Sequence, residues 1–190
     1  MFKKIIVALA FIAIILAPNG AIASSHGKSL QNLDMNEIMF AQMMIPHHEQ
    51  AVSMSETALK KSKNQEILKL SKQIKSLQST EISQLTYWLK ATDSSMTMDH
   101  DMKMSGMLTK RELASLKTLN GTNFDRSFLE MMIKHHHGAI KMLGLISDSD
   151  NAEAKALSKA IKSAQSQEIS SMKLLIKKLK EGEIKCVKHL

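Results

Sequence analysis

The sequence predicts an all-α fold, a four-helix bundle built from two repeated αα-hairpins. Three observations carry that expectation. One block is written twice: MMIPHHEQAVSM, Met43 to Met54, returns as MMIKHHHGAIKM, Met131 to Met142. Apolar residues step by three or four through four long segments, the period of helices with one buried face. Runs of β-branched residues in strict alternation, which would announce strands, are missing. At the offset of the repeat, Phe40/Phe128, Met43/Met131, Met44/Met132, Ile45/Ile133, His47/His135, His48/His136, Ala51/Ala139 and Met54/Met142 are identical pairs. Self-similarity of this kind fixes the unit of architecture.

Taken in order, residues 1–23 read as a secretory signal peptide. Lys3 and Lys4 form a positive start, Ile5 to Ala17 an apolar run, and Ala21-Ile22-Ala23 a small-residue cleavage site. The apolar run is short for a spanning helix, although an uncleaved anchor is the alternative. No second segment is long enough to cross a bilayer, so the expectation is an exported, periplasmic product with no stable membrane insertion after cleavage. Residues 24–34 read as a flexible tail. Cleavage after Ala23 would give Ser24-Ser25-His26, whose free amine, amides and imidazole form a tetragonal Cu(II) chelate. That site depends on the cleavage point, and an accidental His in a tail is the competing reading.

The remaining chain suits one domain with a real core. Its formal net charge of +8 falls by two with the signal peptide. The lysines (Lys60, Lys61, Lys63, Lys69, Lys72, Lys75) are spread along helices without interleaved aromatics, a solvated surface rather than a nucleic-acid interface. A single cysteine, Cys186, excludes an intrachain disulfide, so stability has to come from helix packing. Its CxxH pairing with His189 lacks a partner pair and is weak.

The bundle is expected over residues 35–182, with helices near Met35–Lys61, Gln65–Lys90, Asn123–Ile146 and Ala152–Lys180. A Met-rich linker, 92–110, joins the hairpins, and residues 183–190 form a C-terminal tail. Pro46 falls inside the first helix, where it removes a donor and crowds the carbonyl of Gln42, predicting a kink beside His47. The alternative is a helix that begins at Pro46.

On a helical projection Phe40, Met43, Met44, His47, Ala51, Met54 and Ala58 share a stripe about 100° wide, the width of a core-facing surface. His47 and His135 fall inside the stripe, His48 and His136 on its shoulder, and His137 outward. A Met stripe is usually packing. Two copies that both keep the histidines favour ligands instead. The second helix of each pair repeats too, at an offset shorter by one residue: Leu70/Leu157, Ser71/Ser158, Ile74/Ile161, Gln78/Gln165, Glu81/Glu168 and Ile82/Ile169 match. Ile67, Leu70, Ile74, Leu77, Glu81, Leu85 and Trp88 form a heptad-like seam. Glu81 interrupts it, as Glu168 does between Ala164 and Met172. A carboxylate there needs a partner, either a histidine of the facing helix or water at the seam edge.

Between the repeats MTMDHDMKMSGM places Met96, Met98, His100, Met102, Met104 and Met107 without helical period. Thioethers in a polar linker have little packing to do, and they select Cu(I) over harder ions.

At the doubled Phe-x-x-Met-Met-Ile-x-His-His-x-x-Ala-x-x-Met block the chain resembles the bacterial family known as domain of unknown function 305. The resemblance covers essentially all of the sequence after the signal peptide. It implies a ferritin-like four-helix bundle, usually exported, with some relatives that bind copper in copper resistance. Carried onto this sequence it points at His47, His48, His135 and His136, with Met43, Met44, Met54, Met131, Met132 and Met142. The family often has an Asp shortly before the Phe; Asp125 matches, whereas the first copy has Glu37.

The functional expectation is a non-enzymatic copper-binding protein that sequesters Cu(I) or hands it on, with Cu(II) or Ag(I) also accommodated. Its partners would be metal ions and another exported copper carrier or efflux protein, not nucleic acid. Two alternatives stand beside it. A ferritin-like di-metal oxidoreductase normally needs Glu-x-x-His motifs, and this chain has none. A metal-independent helical partner-binding protein would use His and Met for packing alone.

Overall fold

The computed structural model describes residues 33–98 and 104–187, with side chains through 181. The signal peptide, His26, His100, Met102 and His189 lie outside the described residues, as does the side chain of Cys186.

The first helix, α1, is Met35–Lys61. Asp34 caps it, accepting from Asn36 N at 2.8 Å and Glu37 N at 3.1 Å, while the Glu37 carboxylate reaches back to Asp34 N. Such a cap is worth about 1 kcal/mol. Lys60 and Lys61 at the far end complement the helix dipole. The helix passes through Pro46 as one element, which excludes a start at Pro46. Asn64 then caps α2, Gln65–Ala91. The second hairpin pairs α4, Gly121–Met142, with α5, Ala152–Val187, across a 3-10 turn at Leu143–Leu145. Asn151 Oδ1 caps α5 through Glu153 N and Ala154 N. The last helix thus continues into the stretch read as a C-terminal tail.

One expectation is corrected. Among the described residues there are five α-helices rather than a strict four-helix bundle, because the connection between the hairpins contains α3, Lys110–Thr118. Thr109 and Glu112 close a capping box, Thr109 Oγ1 accepting from Glu112 N at 3.2 Å and the Glu112 carboxylate accepting from Thr109 N at 2.6 Å. Nine residues are too few turns for periodicity to reveal a helix. The Thr-x-x-Glu signature at its start was the readable signal.

Helices α1 and α2 pack along their length, as do α4 and α5, and the two hairpins meet chiefly where α1 lies against α4. The core divides into two apolar clusters. One contains Phe40, Met44, Trp88, Ala139, Met142 and Ile161; the other contains Ala51, Met54, Ile74, Phe128, Met132 and Met172. Matched residues of the two repeats fall in opposite clusters: Phe40 against Phe128, Met44 against Met132, Met54 against Met142, Ile74 against Ile161. An approximate twofold relation between the hairpins requires that exchange. No helix of the described residues is long and apolar enough to cross a membrane.

Candidate metal centre

Each long helix crosses from one cluster to the other through polar residues: His47 and His48 on α1, Gln78 and Glu81 on α2, His135 and His136 on α4, Gln165 and Glu168 on α5. All but Glu168 are almost completely buried. A polar belt therefore runs through the middle of the bundle. Burying such groups costs stability unless each finds a partner, so the belt calls for a reason other than packing.

The two copies meet at its centre. The rings of His47 and His135 are 3.7 Å apart between centroids and tilted by 36°. The repeated histidines thus form one shared group rather than two separate sites. His48 and His136 flank it at 6.4 Å and 6.3 Å from their sequence neighbours. Both had been expected on the shoulder of the stripe; each is fully buried, because α2 and α5 cover that shoulder with a carboxylate. His48 Nε2 lies 2.8 Å from Glu81 Oε2, off the line of an ideal hydrogen bond. His136 Nε2 is hydrogen-bonded to Glu168 Oε2 at 2.7 Å. His137 is exposed.

The partners fix which nitrogen carries the proton. His47 Nε2 lies 3.0 Å from the carbonyl oxygen of Ser105, an acceptor only, so it is the donor. The Glu168 carboxylate likewise accepts from His136 Nε2, which leaves the lone pair of both rings on Nδ1. The Nδ1 atoms of His47 and His136, and both ring nitrogens of His48 and His135, are buried without a hydrogen-bond partner among the described residues. The amides of Gln78 and Gln165 are unpaired in the same way. In the sequence these glutamines show only as matched positions of the repeat, with nothing that places them in the site.

Burial pushes the imidazole of His47 down to about 3, with the neighbouring His48 adding to the effect and the Ser105 hydrogen bond opposing it. His135 is held well below its ordinary value, first by burial and then by His47. Both rings are neutral in the fold at neutral pH. An unfolded chain takes up these protons near pH 6.5, so it binds more protons than the native state below that pH. Stability contributed by neutral burial is therefore complete above pH 6.5 and is lost as the pH falls toward 3. The expected slope is about 1.4 kcal/mol per pH unit for each histidine. Urea midpoints measured between pH 7 and pH 4 check it; a flat profile would remove the neutral-histidine assignment.

Thioethers border the belt on both sides. Met43, Met44 and Met142 belong to one apolar cluster, Met54 and Met132 to the other, with Met131 half-buried at its edge. In the linker Met98 and Met104 pack against the first cluster, Met107 is half-buried and Met96 is exposed. The linker is fastened across the centre. Ser105 accepts from His47, and Gln50 grips Leu108 twice, its Nε2 donating to the carbonyl at 3.0 Å and its Oε1 accepting from the amide at 2.8 Å. Where the strap crosses α4 the helix has Gly138, the position matched to Gln50. A Cβ there would stand 2.0 Å from Ser105 O. Gly106, at φ +79°, supplies the reversed backbone on the other side.

Among the described residues no three His, Cys, Asp or Glu side chains converge to hold a metal ion. The belt itself gathers the four imidazoles, and the methionines lie in the apolar clusters on either side of it.

The family model described as Domain of unknown function (DUF305) matches residues 37–176. The chain belongs to the DUF305 family. Solved members share the architecture. A DUF305 protein of Streptomyces coelicolor, classed as secreted, is 26% identical with a TM-score of 0.73, over 76% of this chain and 93% of its own. A DUF305 fragment from Deinococcus radiodurans is 28% identical with a TM-score of 0.71, over 76% and 97%. CopM is 30% identical with a TM-score of 0.63 over 75% and 96%, and has been solved with Cu(I), with Cu(II), with Ag and in the apo form. These CopM structures are of a metal-binding protein. No curated protein sequence matches the chain.

Proposed function

We propose that this DUF305 member is an exported copper-handling protein that holds Cu(I) through imidazole and thioether ligands and sequesters it or passes it on. One observation carries the reading. The belt presents buried nitrogen lone pairs, the protons of His47 and His136 being held on Nε2 by acceptor-only partners, in a core that also contains Met43, Met44, Met54, Met132 and Met142. A structural histidine pair would use its nitrogens in hydrogen bonds; here all four Nδ1 atoms, with Nε2 of His48 and His135, find no hydrogen-bond partner among the described residues. Soft thioethers and neutral imidazoles together match Cu(I), with Ag(I) as a close surrogate.

In this reading His47, His48, His135 and His136 offer nitrogen, while Met43, Met44, Met54, Met131, Met132 and Met142 offer sulfur from either side. Glu81 and Glu168 orient the outer histidines. Met96, Met98, Met104 and Met107 extend the donor set outward along the strap, with His100 and Met102 in the same linker segment. His26 adds a Cu(II) site where the amino terminus begins at Ser24. CopM, solved with Cu(I), Cu(II) and Ag, supports the ion class. The receiving partner would be another exported copper carrier or an efflux protein. A di-metal oxidase finds no support, since such centres rest on clustered carboxylates and Glu-x-x-His motifs.

Anaerobic titration of the exported chain with Cu(I) against a competing chelator tests the reading. Replacing His47 and His135 together abolishes the buried equivalents, whereas replacing only the linker methionines removes others and leaves those intact. Unchanged stoichiometry in both variants would sink the ligand assignment. Glu81→Gln is expected to weaken the buried site about 10–100-fold, the usual loss when a partner orienting a ligand is altered. Equal affinity in that titration would show that Glu81 only packs.

A further inference from the structure

We propose that Met35, Met39 and Met43 form an uptake ladder along α1 that carries a soft monovalent cation from solvent to His47. The proposal deepens the copper reading and rests on it.

The three methionines and His47 are spaced four residues apart, so each lies one turn from the next, about 6 Å along the axis. Side chains at that spacing are neighbours on a helix surface. Burial deepens at every step. Met35 is 75% exposed, Met39 is half-buried, Met43 is 8% exposed and His47 is fully buried. A thioether on the first turn with three quarters of its surface in water contributes little to packing.

The repeat supplies an internal control. In the second copy the positions matched to Met35 and Met39 are Asn123 and Ser127. The same bundle geometry is built there without sulfur, so the fold does not demand methionine at these sites. Only Met43 has a methionine counterpart, Met131.

The linker brings further sulfur to the same end. Gln42, between Met39 and Met43 in the chain, donates from Nε2 to the carbonyls of Ser95 at 2.8 Å and Thr97 at 3.4 Å. That anchors the segment carrying Met96, which is 42% exposed. Met98 and Met104 pack against the apolar cluster to which Met39 and Met43 belong.

Transfer along such a ladder is ligand exchange. A d¹⁰ monovalent ion held by one or two thioethers accepts the sulfur of the next turn and then releases the previous one. One metal–sulfur bond forms for each that breaks, with no electron or proton moved. At Met43 the next donor is the Nδ1 lone pair of His47, and the stronger nitrogen donor retains the ion.

Ag(I), which needs no reductant, is the probe. It is delivered to the full chain from a weak thioether chelator, and loading is followed through the single tryptophan, the buried Trp88. Leucine at both outer positions, Met35→Leu with Met39→Leu, keeps volume and helix propensity. The expected result is unchanged buried stoichiometry with loading slowed about tenfold. Loading as fast as in the unaltered chain, with normal filling, would overturn the ladder and leave the buried site standing. If the unaltered chain takes no Ag(I) at His47, the copper reading falls and the ladder with it. Methyl-labelled methionine spectra of the unaltered chain give a second readout. At substoichiometric Ag(I) the Met35 and Met39 methyls shift; if they stay fixed while His47 responds, the route is wrong.

Discussion

Replacing His135 by leucine is expected to make the metal-free protein more stable and, under the proposed copper-handling function, poorer at holding copper. Both ring nitrogens of His135 are buried without a well-formed hydrogen bond among the described residues, so the change gives up little hydrogen bonding. It removes polar atoms whose burial goes uncompensated, and the side chains are of similar volume. The gain in the urea midpoint should correspond to about 1–3 kcal/mol. The same variant should lose more Cu(I) affinity than the 10–100-fold expected for altering an orienting partner such as Glu81. It should also show a shallower loss of stability between pH 7 and pH 4, because one depressed imidazole is gone. A metal-free variant less stable than the parent would mean that His135 is a packing residue in a satisfied core. The opposed changes in stability and affinity separate a binding centre from a structural one.

The second large effect concerns the strap. Glycine inside a helix costs about 1 kcal/mol relative to alanine, so Gly138→Ala would stabilise an unobstructed helix. Here the new Cβ would lie 2.0 Å from Ser105 O and 2.5 Å from Gly106 Cα, both backbone atoms. The linker has to move away from α4, and the bond from His47 to Ser105 goes with it. The expected outcome is a destabilisation of about 1–3 kcal/mol, the usual cost of overpacking. Amide exchange at Leu108, whose N–H is held by Gln50, should accelerate. A net gain in stability would show that the linker does not press on Gly138 in solution. The sign of the change is the test.

Much of this architecture is legible in the amino-acid sequence. The stripe of Phe40, Met43, Met44, His47, Ala51, Met54 and Ala58 is buried throughout, because apolar period reports a helix face directly. The turns at residues 62–64 and 147–151 and the helices they separate also follow from local signals. Glu81 and Glu168 could be singled out as carboxylates in an apolar seam, since the cost of burying charge is a property of the residue. Other features were less accessible. Leu77 was placed in the seam but is only half-buried, while Gln78 beside it is buried. The short helix at Lys110–Thr118 left only its capping box in the sequence. His48 and His136 looked peripheral on a single-helix projection because the projection omits the neighbour that covers them.

The sequence by itself determined the repeat, the helix faces and the residue types that each face presents, for these depend on the near-neighbour geometry of one chain segment. Tertiary structure alone decided that His47 meets His135, that both copies therefore build one centre, and that Ser105 closes over it. Those contacts join residues 58 or more positions apart. Which faces meet is settled by how the two hairpins pack and where the linker finds a gap, at Gly138, through which its backbone can pass.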